Sequence, residues 1–127
     1  LLIDLLRRGG KFYAQDFVAS EEGLNVRERT LLSEEVYCNG LVTENQYKDI
    51  LHRCGFRNIV VEDVTADWKQ YTADRAYKWS QNKSELIEIH GAETWEKLNI
   101  FYDVIQKLFK GKRMKGIILT AEKPLGW

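Results

Sequence analysis

Residues 5–18 read LLRRGGKFYAQDFV, a short helical pattern that runs into a glycine pair and then into an apolar strand. Leucines recur at helical spacing before Gly9 and Gly10, which supply the left-handed stop that ends many helices. Residues 12–18 are apolar or aromatic apart from Gln15 and Asp16, as is typical of a buried strand with a polar end. The stretch therefore predicts helix, turn and strand in immediate succession.

The same succession of helix, glycine and strand returns further along the chain. Thr43 and Gln46 form a variant of the capping box before an apolar stripe that ends at Gly55. A β-branched cluster then predicts a strand over residues 56–64, and a second apolar run predicts the last strand over residues 116–121.

Two longer regions separate these elements. Residues 19–40 are charged and weakly periodic, which predicts a mobile connection with at most one or two helical turns over residues 26–37. Residues 66–110 are helical in pattern and predict two or three helices with a break near Gly91. Three strands alternating with helices indicate the α/β class, and so few strands indicate that residues 1–127 are a single partial domain.

Composition excludes several classes of partner. The 127 residues carry 19 basic and 19 acidic side chains, so no net charge attracts nucleic acid or an anionic membrane, and no apolar run is long enough to span a membrane. Cys38 and Cys54 fit neither a disulfide framework nor a zinc module, which favours a reducing, cytoplasmic location. His52 and His90 lack partners at metal-ligand spacing, so we expect no metal site.

Taken together, the segments resemble the C-terminal half of the class I S-adenosylmethionine-dependent methyltransferases. RRGGKFYAQDF resembles the family's helix, glycine turn and fifth strand; ENQYKDILHRCGFRNIVVEDVT resembles its fifth helix and sixth strand; MKGIILTAEKP resembles its seventh strand. The helix bearing Tyr47, the Cys-Gly-Phe-X-Asn segment at 54–58 and Trp68 are most similar to small-amine N-methyltransferases of the phosphoethanolamine and sarcosine/dimethylglycine type. Arg8 departs from the family, which usually has proline before the glycines.

The resemblance implies a Rossmann-like fold whose last strand inserts antiparallel between the fifth and sixth strands, with residues 66–110 as an inserted helical lid. It also implies that S-adenosylmethionine is bound mainly by the family's N-terminal half. Gly9 and Gly10 follow a helix and precede a strand, the reverse of the order that lets a glycine-rich loop hold a cofactor. We therefore expect no cofactor-binding residue in this segment and interpret the chain as a fragment of a longer enzyme.

Four residues are candidates for substrate binding. Asp16 ends the first strand, where open α/β sheets bind ligands, and the resemblance implies that it contacts the amino group of the substrate; a cap or salt bridge is the alternative. Tyr47 matches a tyrosine that points toward the substrate phosphate in the phosphobase enzymes, although core packing explains it equally. Arg113 and Lys115 can serve a substrate phosphate or be surface charges at a turn.

An aromatic cluster in the helical region is a further candidate, and no catalytic residue is assigned. Its members are Trp68, Tyr71, Arg75, Tyr77 and Trp79. The cluster can form a lid that offers aromatic faces to a methylated amine, or it can be a helix-packing stripe.

The sequence thus favours a methyltransferase that uses a small-molecule acceptor, a small amine or phosphobase, with carbon and oxygen acceptors left open. The alternative is a non-catalytic half-fold module that acts through protein association. An exposed sheet edge on such a module would favour a homo-oligomer.

Overall fold

A computed structural model describes residues 2–126. Within that range a 3₁₀ turn at Leu2–Leu5 precedes three strands and five α-helices. In chain order these are β1 (Lys11–Ala19), α1 (Val26–Glu35), α2 (Glu44–Arg53), β2 (Arg57–Asp63), α3 (Thr65–Gln81), α4 (Lys83–His90), α5 (Ala92–Lys110) and β3 (Met114–Glu122).

The three strands form one sheet in the order β1-β3-β2, and β3 is antiparallel to both neighbours. This arrangement confirms the α/β class and the antiparallel insertion of the last strand. Ile117 is opposite Asp16 on one side and Asp63 on the other, so the three residues form one row across the sheet. The carboxyl ends of β1 and β2 therefore meet the start of β3 at the same edge.

Helix α2 covers one face of the sheet. Thr43 caps it with the predicted box: the Gln46 amide donates to the Thr43 hydroxyl at 3.1 Å, and the Thr43 amide donates to the Gln46 side chain at 2.9 Å. Gly55 ends the turn with φ +104°, a conformation that favours glycine. The apolar cluster beneath this helix contains Ile3, Val18, Leu51, Phe56, Ile117, Leu119 and Ala121.

The opposite face is covered at one end only, by α1, α3 and α5. Its buried cluster contains Ala19, Leu24, Leu32, Val104, Ile105, Leu108, Phe109 and Met114. Trp68 of α3 lies over Gly116 and meets the Phe17 ring edge to face at 5.3 Å. Residues 66–110 are helical as predicted, and Gly91 breaks the helices with φ +89°.

Three local predictions were wrong in extent. Val26–Glu35 is a complete helix because Asn25 and Glu28 form a reciprocal capping box and Leu32 is buried. The last strand begins at Met114, not at residue 116, because the ladder with β1 continues to Ala19. The first helical segment is a four-residue 3₁₀ turn, although the predicted stop at Gly9 is confirmed by its φ of +74°; Leu1 lies outside the described residues.

Candidate functional site

A cleft of ≈ 760 Å³ opens between the carboxyl end of β1 and the helices α3 and α5. Its walls carry two acids, Asp16 and Asp67, and five aromatic side chains: Phe17, Trp68, Tyr71, Phe101 and Tyr102. Aromatic rings attract cations through their faces, and carboxylates neutralise them. The cleft is therefore suited to a small cation with an apolar surface.

Asp16 lies exposed at the outer edge of the cleft and of the sheet. Its carboxylate accepts the Phe17 amide at 2.8 Å. The Ser20 amide donates to Arg113 beside β3, whereas the Ala19 amide donates to Val42 on the other side. Because amides alternate along a strand, the Phe17 amide also faces away from β3. The Asp16 carboxylate thus accepts a hydrogen bond from a backbone amide on the outer edge of β1, beside the cleft.

Tyr47 lies next to this carboxylate on the half-buried side of α2. Burial raises the pKa of Tyr47 above its ordinary 10.0, and the neighbouring charge of Asp16 and a hydrogen bond to it raise it further. The phenol is therefore protonated at neutral pH, so its hydroxyl can donate to the neighbouring Asp16 carboxylate. The structure brings together these two residues, which the sequence singled out separately from different segments.

Arg113 is placed differently. Its Nη1 lies 3.3 Å from Oε1 of the buried Glu28, and its Nε lies 3.7 Å from Oε2 of Glu22. Arg113 lines a separate depression beside α1 and is not part of the cleft wall. Arg113 was predicted to bind a substrate phosphate, but in the structure two carboxylates already neutralise its guanidinium.

Lys115 lies within β3, at the sheet edge where β1 and β2 end. Its Nζ is 3.7 Å from Oδ2 of Asp63, the residue that ends β2. Asp63 also accepts the Thr65 amide at 2.9 Å and the Thr65 hydroxyl at 2.5 Å. These Thr65 hydrogen bonds, with a smaller contribution from Lys115, hold the pKa of Asp63 below its ordinary value. Lys115 therefore shares the crevice edge with Asp16 but is paired there.

The five residues of the predicted aromatic cluster separate into three parts, and Arg75 lies with Trp79 on a groove toward α4. Trp68 and Tyr71 line the cleft, whereas the exposed Tyr77 lines another groove. Trp79 is buried against α5, where the Trp79 and Trp95 indoles each donate to the other's carbonyl at 2.9 and 3.0 Å. The lid and the packing interpretations thus apply to different residues of the same helix.

Asp67 is a cleft residue that sequence reasoning missed. It lies in the first turn of α3, four residues before Tyr71, so the two side chains share a helical face. That spacing, together with the adjacent Trp68, was the available signal. A single acid in the first turn of a helix is usually assigned to the helix dipole, which hides such a residue in a sequence.

The glycine pair does not form a cofactor cradle. A Cβ at Gly9 would lie 2.9 Å from the Leu125 side chain, and a Cβ at Gly10 would lie 2.7 Å from the Arg7 carbonyl. The pair is closed into a turn whose Gly9 amide donates to the Lys123 carbonyl at 2.8 Å. These residues do not fit S-adenosylmethionine.

Two further observations concern the described part of the chain. Residues 2–126 contain no group of three or more His, Cys, Asp or Glu side chains placed to hold a metal ion. No helix in that range combines the length and the apolar character needed to span a membrane.

No protein-family model matches the chain, and no curated protein sequence matches it. Solved structures do. The Haemonchus contortus phosphoethanolamine N-methyltransferase 2 superposes with a TM-score of 0.81 at 19% identity, over 97% of this chain and 28% of that one. A putative sarcosine dimethylglycine methyltransferase from Galdieria sulphuraria gives 0.82 at 9% identity, over 98% and 45%. The chain has part of the methyltransferase fold. The fold predicted from the resemblance is thereby confirmed.

The methyltransferase fold also occurs in neighbours with other chemistry. The cyclopropane synthase MmaA2 from Mycobacterium tuberculosis superposes with a TM-score of 0.79 at 16% identity, over 96% of this chain and 47% of that one. The chain spans between 28% and 47% of the length of these three structures. Because one fold supports several reactions, the function must be argued from the cleft itself.

Proposed function

We propose that the chain is the acceptor-binding part of an S-adenosylmethionine-dependent methyltransferase that acts on a small amine or phosphobase. The single observation that carries the proposal is the place of the Asp16 carboxylate, which adjoins Tyr47, on a cleft walled by aromatic rings. The Haemonchus contortus structure contains phosphomonomethylethanolamine and S-adenosylhomocysteine, which supports this class of reaction for the fold.

The chemistry of an amine acceptor agrees with this wall. A protonated amine is attracted by the Asp16 carboxylate, which can also accept the proton that the nitrogen must lose before it attacks a methyl group. Trp68 and Tyr71 offer ring faces that stabilise a methylated ammonium group by cation–π attraction. Positioning of this kind supplies much of the acceleration in a transfer between two bound molecules.

The methyl donor belongs to another part of the proposed enzyme. S-adenosylmethionine supplies the activated methyl group when bound, and we propose that segments outside this chain hold it. The closed turn at Gly9 and Gly10 supports this division, because the Leu125 side chain and the Arg7 carbonyl occupy the space beside the two glycines. The chain's own contribution is to bind and orient the acceptor and to accept its proton.

The test compares two aspartates of the same sheet row in the full protein that contains this chain. Asp16→Asn should raise the Michaelis constant for the amine about 10- to 100-fold, because a charge-assisted contact is lost. The affinity for S-adenosylmethionine should not change. Asp63→Asn is the matched control, since its carboxylate is held by Thr65 and Lys115. Equal Michaelis constants in the wild type and Asp16→Asn would remove Asp16 from the site.

The outer edge of β1 favours a second candidate, association without catalysis. Amides at Tyr13 and Gln15 face away from β3 by the alternation described above, so this edge can accept another strand. Gln15→Pro removes one such donor without touching the ladder with β3. If the half-fold associates through this edge, light scattering should show an oligomer that Gln15→Pro dissociates. A monomeric wild type would exclude this candidate.

A further inference from the structure

Gly116 lies in β3 opposite Phe17, beneath the ring of Trp68. A Cβ at this position would overlap Cε3 of the indole and lie 2.7 Å from Cδ2 and 3.0 Å from Cζ3. The backbone of Gly116 does not have the positive φ that favours glycine. Glycine is therefore needed here for space, because it lets the indole lie directly on the surface of the sheet.

The backbone of Gly116 also holds the start of α3 to the sheet. Its carbonyl accepts the Val64 amide at 2.9 Å, and its amide donates to the Thr65 hydroxyl at 3.2 Å. Trp68 follows within the first turn of α3, where its amide donates to the Val64 carbonyl at 3.0 Å. The backbone of Gly116 thus fixes where the helix begins, and its missing side chain fixes how close to the sheet the indole lies.

The position of this indole affects the width of the cleft. Trp68 lines the cleft together with Asp16 and Phe17, whose ring contacts the indole edge to face. The sheet lies on one side of the indole, and Phe101 and Ile105 of α5 belong to another wall of the same cleft. A Cβ at Gly116 would displace the indole away from the sheet, toward α5, by roughly 1 Å to restore an ordinary carbon–carbon contact. The cleft would then be narrower.

The width of the cleft decides which acceptor nitrogens fit into it. A nitrogen becomes bulkier with every methyl group that replaces a hydrogen, and one carbon more or less changes selectivity in an apolar pocket about 10- to 200-fold. We propose that Gly116 is a specificity-determining residue of the acceptor site: it keeps Trp68 against the sheet and so leaves room for a nitrogen that carries several methyl groups. This inference rests on the proposed function, and it names the residue that limits the bulk of the acceptor.

The test measures the affinities of methylammonium and tetramethylammonium for the full protein by calorimetry, without cofactor. The wild type should bind tetramethylammonium at least as tightly as methylammonium, because the ring faces attract both cations and the cleft has room for the larger one. Gly116→Ala should weaken tetramethylammonium binding about 10-fold or more relative to methylammonium. Gly40→Ala, whose added Cβ meets nothing within 4 Å, should leave the ratio of the two affinities unchanged.

Substitutions of Trp68 separate this role from a general loss of packing. Because phenylalanine has a smaller ring, Trp68→Phe combined with Gly116→Ala should recover most of the tetramethylammonium binding that Gly116→Ala loses. Trp68→Phe alone should shift selectivity the opposite way, toward tetraethylammonium over tetramethylammonium, and this variant carries the test if Gly116→Ala does not fold. Unchanged selectivity in Trp68→Phe, or in a folded Gly116→Ala, would overturn the proposal. A wild type that does not bind tetramethylammonium would overturn it as well.

Methylation assays on the same variants separate this inference from the proposed function. With phosphoethanolamine and glycine as acceptors, mass spectrometry counts the methyl groups in each product, and Gly116→Ala should shift the products toward fewer methyl groups. The expected change in binding, in a protein that methylates neither acceptor, would support the role of Gly116 and refute the proposed methyltransferase. Methylation with the same products and the same affinity ratio in the wild type and Gly116→Ala would support the methyltransferase and refute this role. No binding and no methylation would refute both.

Discussion

Asp16 and Asp63 occupy equivalent places on either side of Ile117, yet their surroundings differ. Asp63 receives the Thr65 amide and hydroxyl and the Lys115 ammonium, which together lower its pKa. Asp16 receives the Phe17 amide and stands beside the half-buried Tyr47, at the wall of the cleft. The Asp63 carboxylate stabilises the local structure, whereas the Asp16 carboxylate faces a space that a ligand can enter.

The difference arises from the connection that leaves each strand. After β2 the chain turns at once into α3, and Thr65 at the helix start folds back onto Asp63. After β1 the chain leaves the sheet through Ser20 and a loop toward α1, so no helix start covers Asp16. The residue type and strand position are the same, and the connection decides which acid is available.

Gly116→Val should have the largest effect of the three variants. Gly116 contacts both Trp68 of the cleft wall near Asp16 and Thr65, which binds Asp63. A Cβ there would overlap the Trp68 ring of the cleft wall, and the Gly116 amide donates to the Thr65 hydroxyl at 3.2 Å. Overpacking of this kind costs about 3 kcal/mol of unfolding free energy. Urea denaturation should show this loss, while Gly40→Ala, which meets nothing within 4 Å, should change little. A variant as stable as the wild type would contradict this packing.

Much of the fold was readable from local signals. The β-branched cluster of β2, the capping box at Thr43 and the stops at Gly9, Gly55 and Gly91 all correspond to observed elements. The length of helix α1 was underestimated because its charged sequence has little amphipathic pattern, although Asn25 and Glu28 carry a capping signal. The strand order came from the resemblance, since strand pairing depends on contacts far apart in the chain.

The site was less predictable for the same reason. Asp16 and Tyr47 were chosen by matching segments, and only the fold shows that they are neighbours. The pairing of Arg113 with Glu28 joins residues 85 positions apart, which no spacing rule reveals.

Tyr47→Phe should have a moderate effect on acceptor binding, and it tests whether Tyr47 assists Asp16. Loss of the donor should raise the Michaelis constant for the amine about threefold to tenfold, the value of one modest hydrogen bond. Folding raises the pKa of Tyr47, so its contribution to stability is complete below pH 10.0 and is lost as pH rises through the higher folded value. Denaturation between pH 8 and 11 should show a smaller alkaline loss in the variant, and identical profiles would contradict the pairing.

Thr65→Val should have the smallest effect of the three variants. It removes the hydroxyl with which the start of α3 binds Asp63, so Asp63 should then resemble Asp16, which no helix start contacts. Folding lowers the pKa of Asp63, so its contribution to stability is complete above the ordinary value of 3.8 and is lost as pH falls through the lower folded value. Without the Thr65 hydroxyl, the main cause of the shift disappears and the folded pKa rises toward 3.8. Carboxyl NMR titration should detect that rise, with Thr94→Val, at an exposed position in the first turn of α5, as the control. If Asp63 titrates unchanged, Lys115 and the backbone amide hold it unaided, and the two aspartates differ by charge pairing alone.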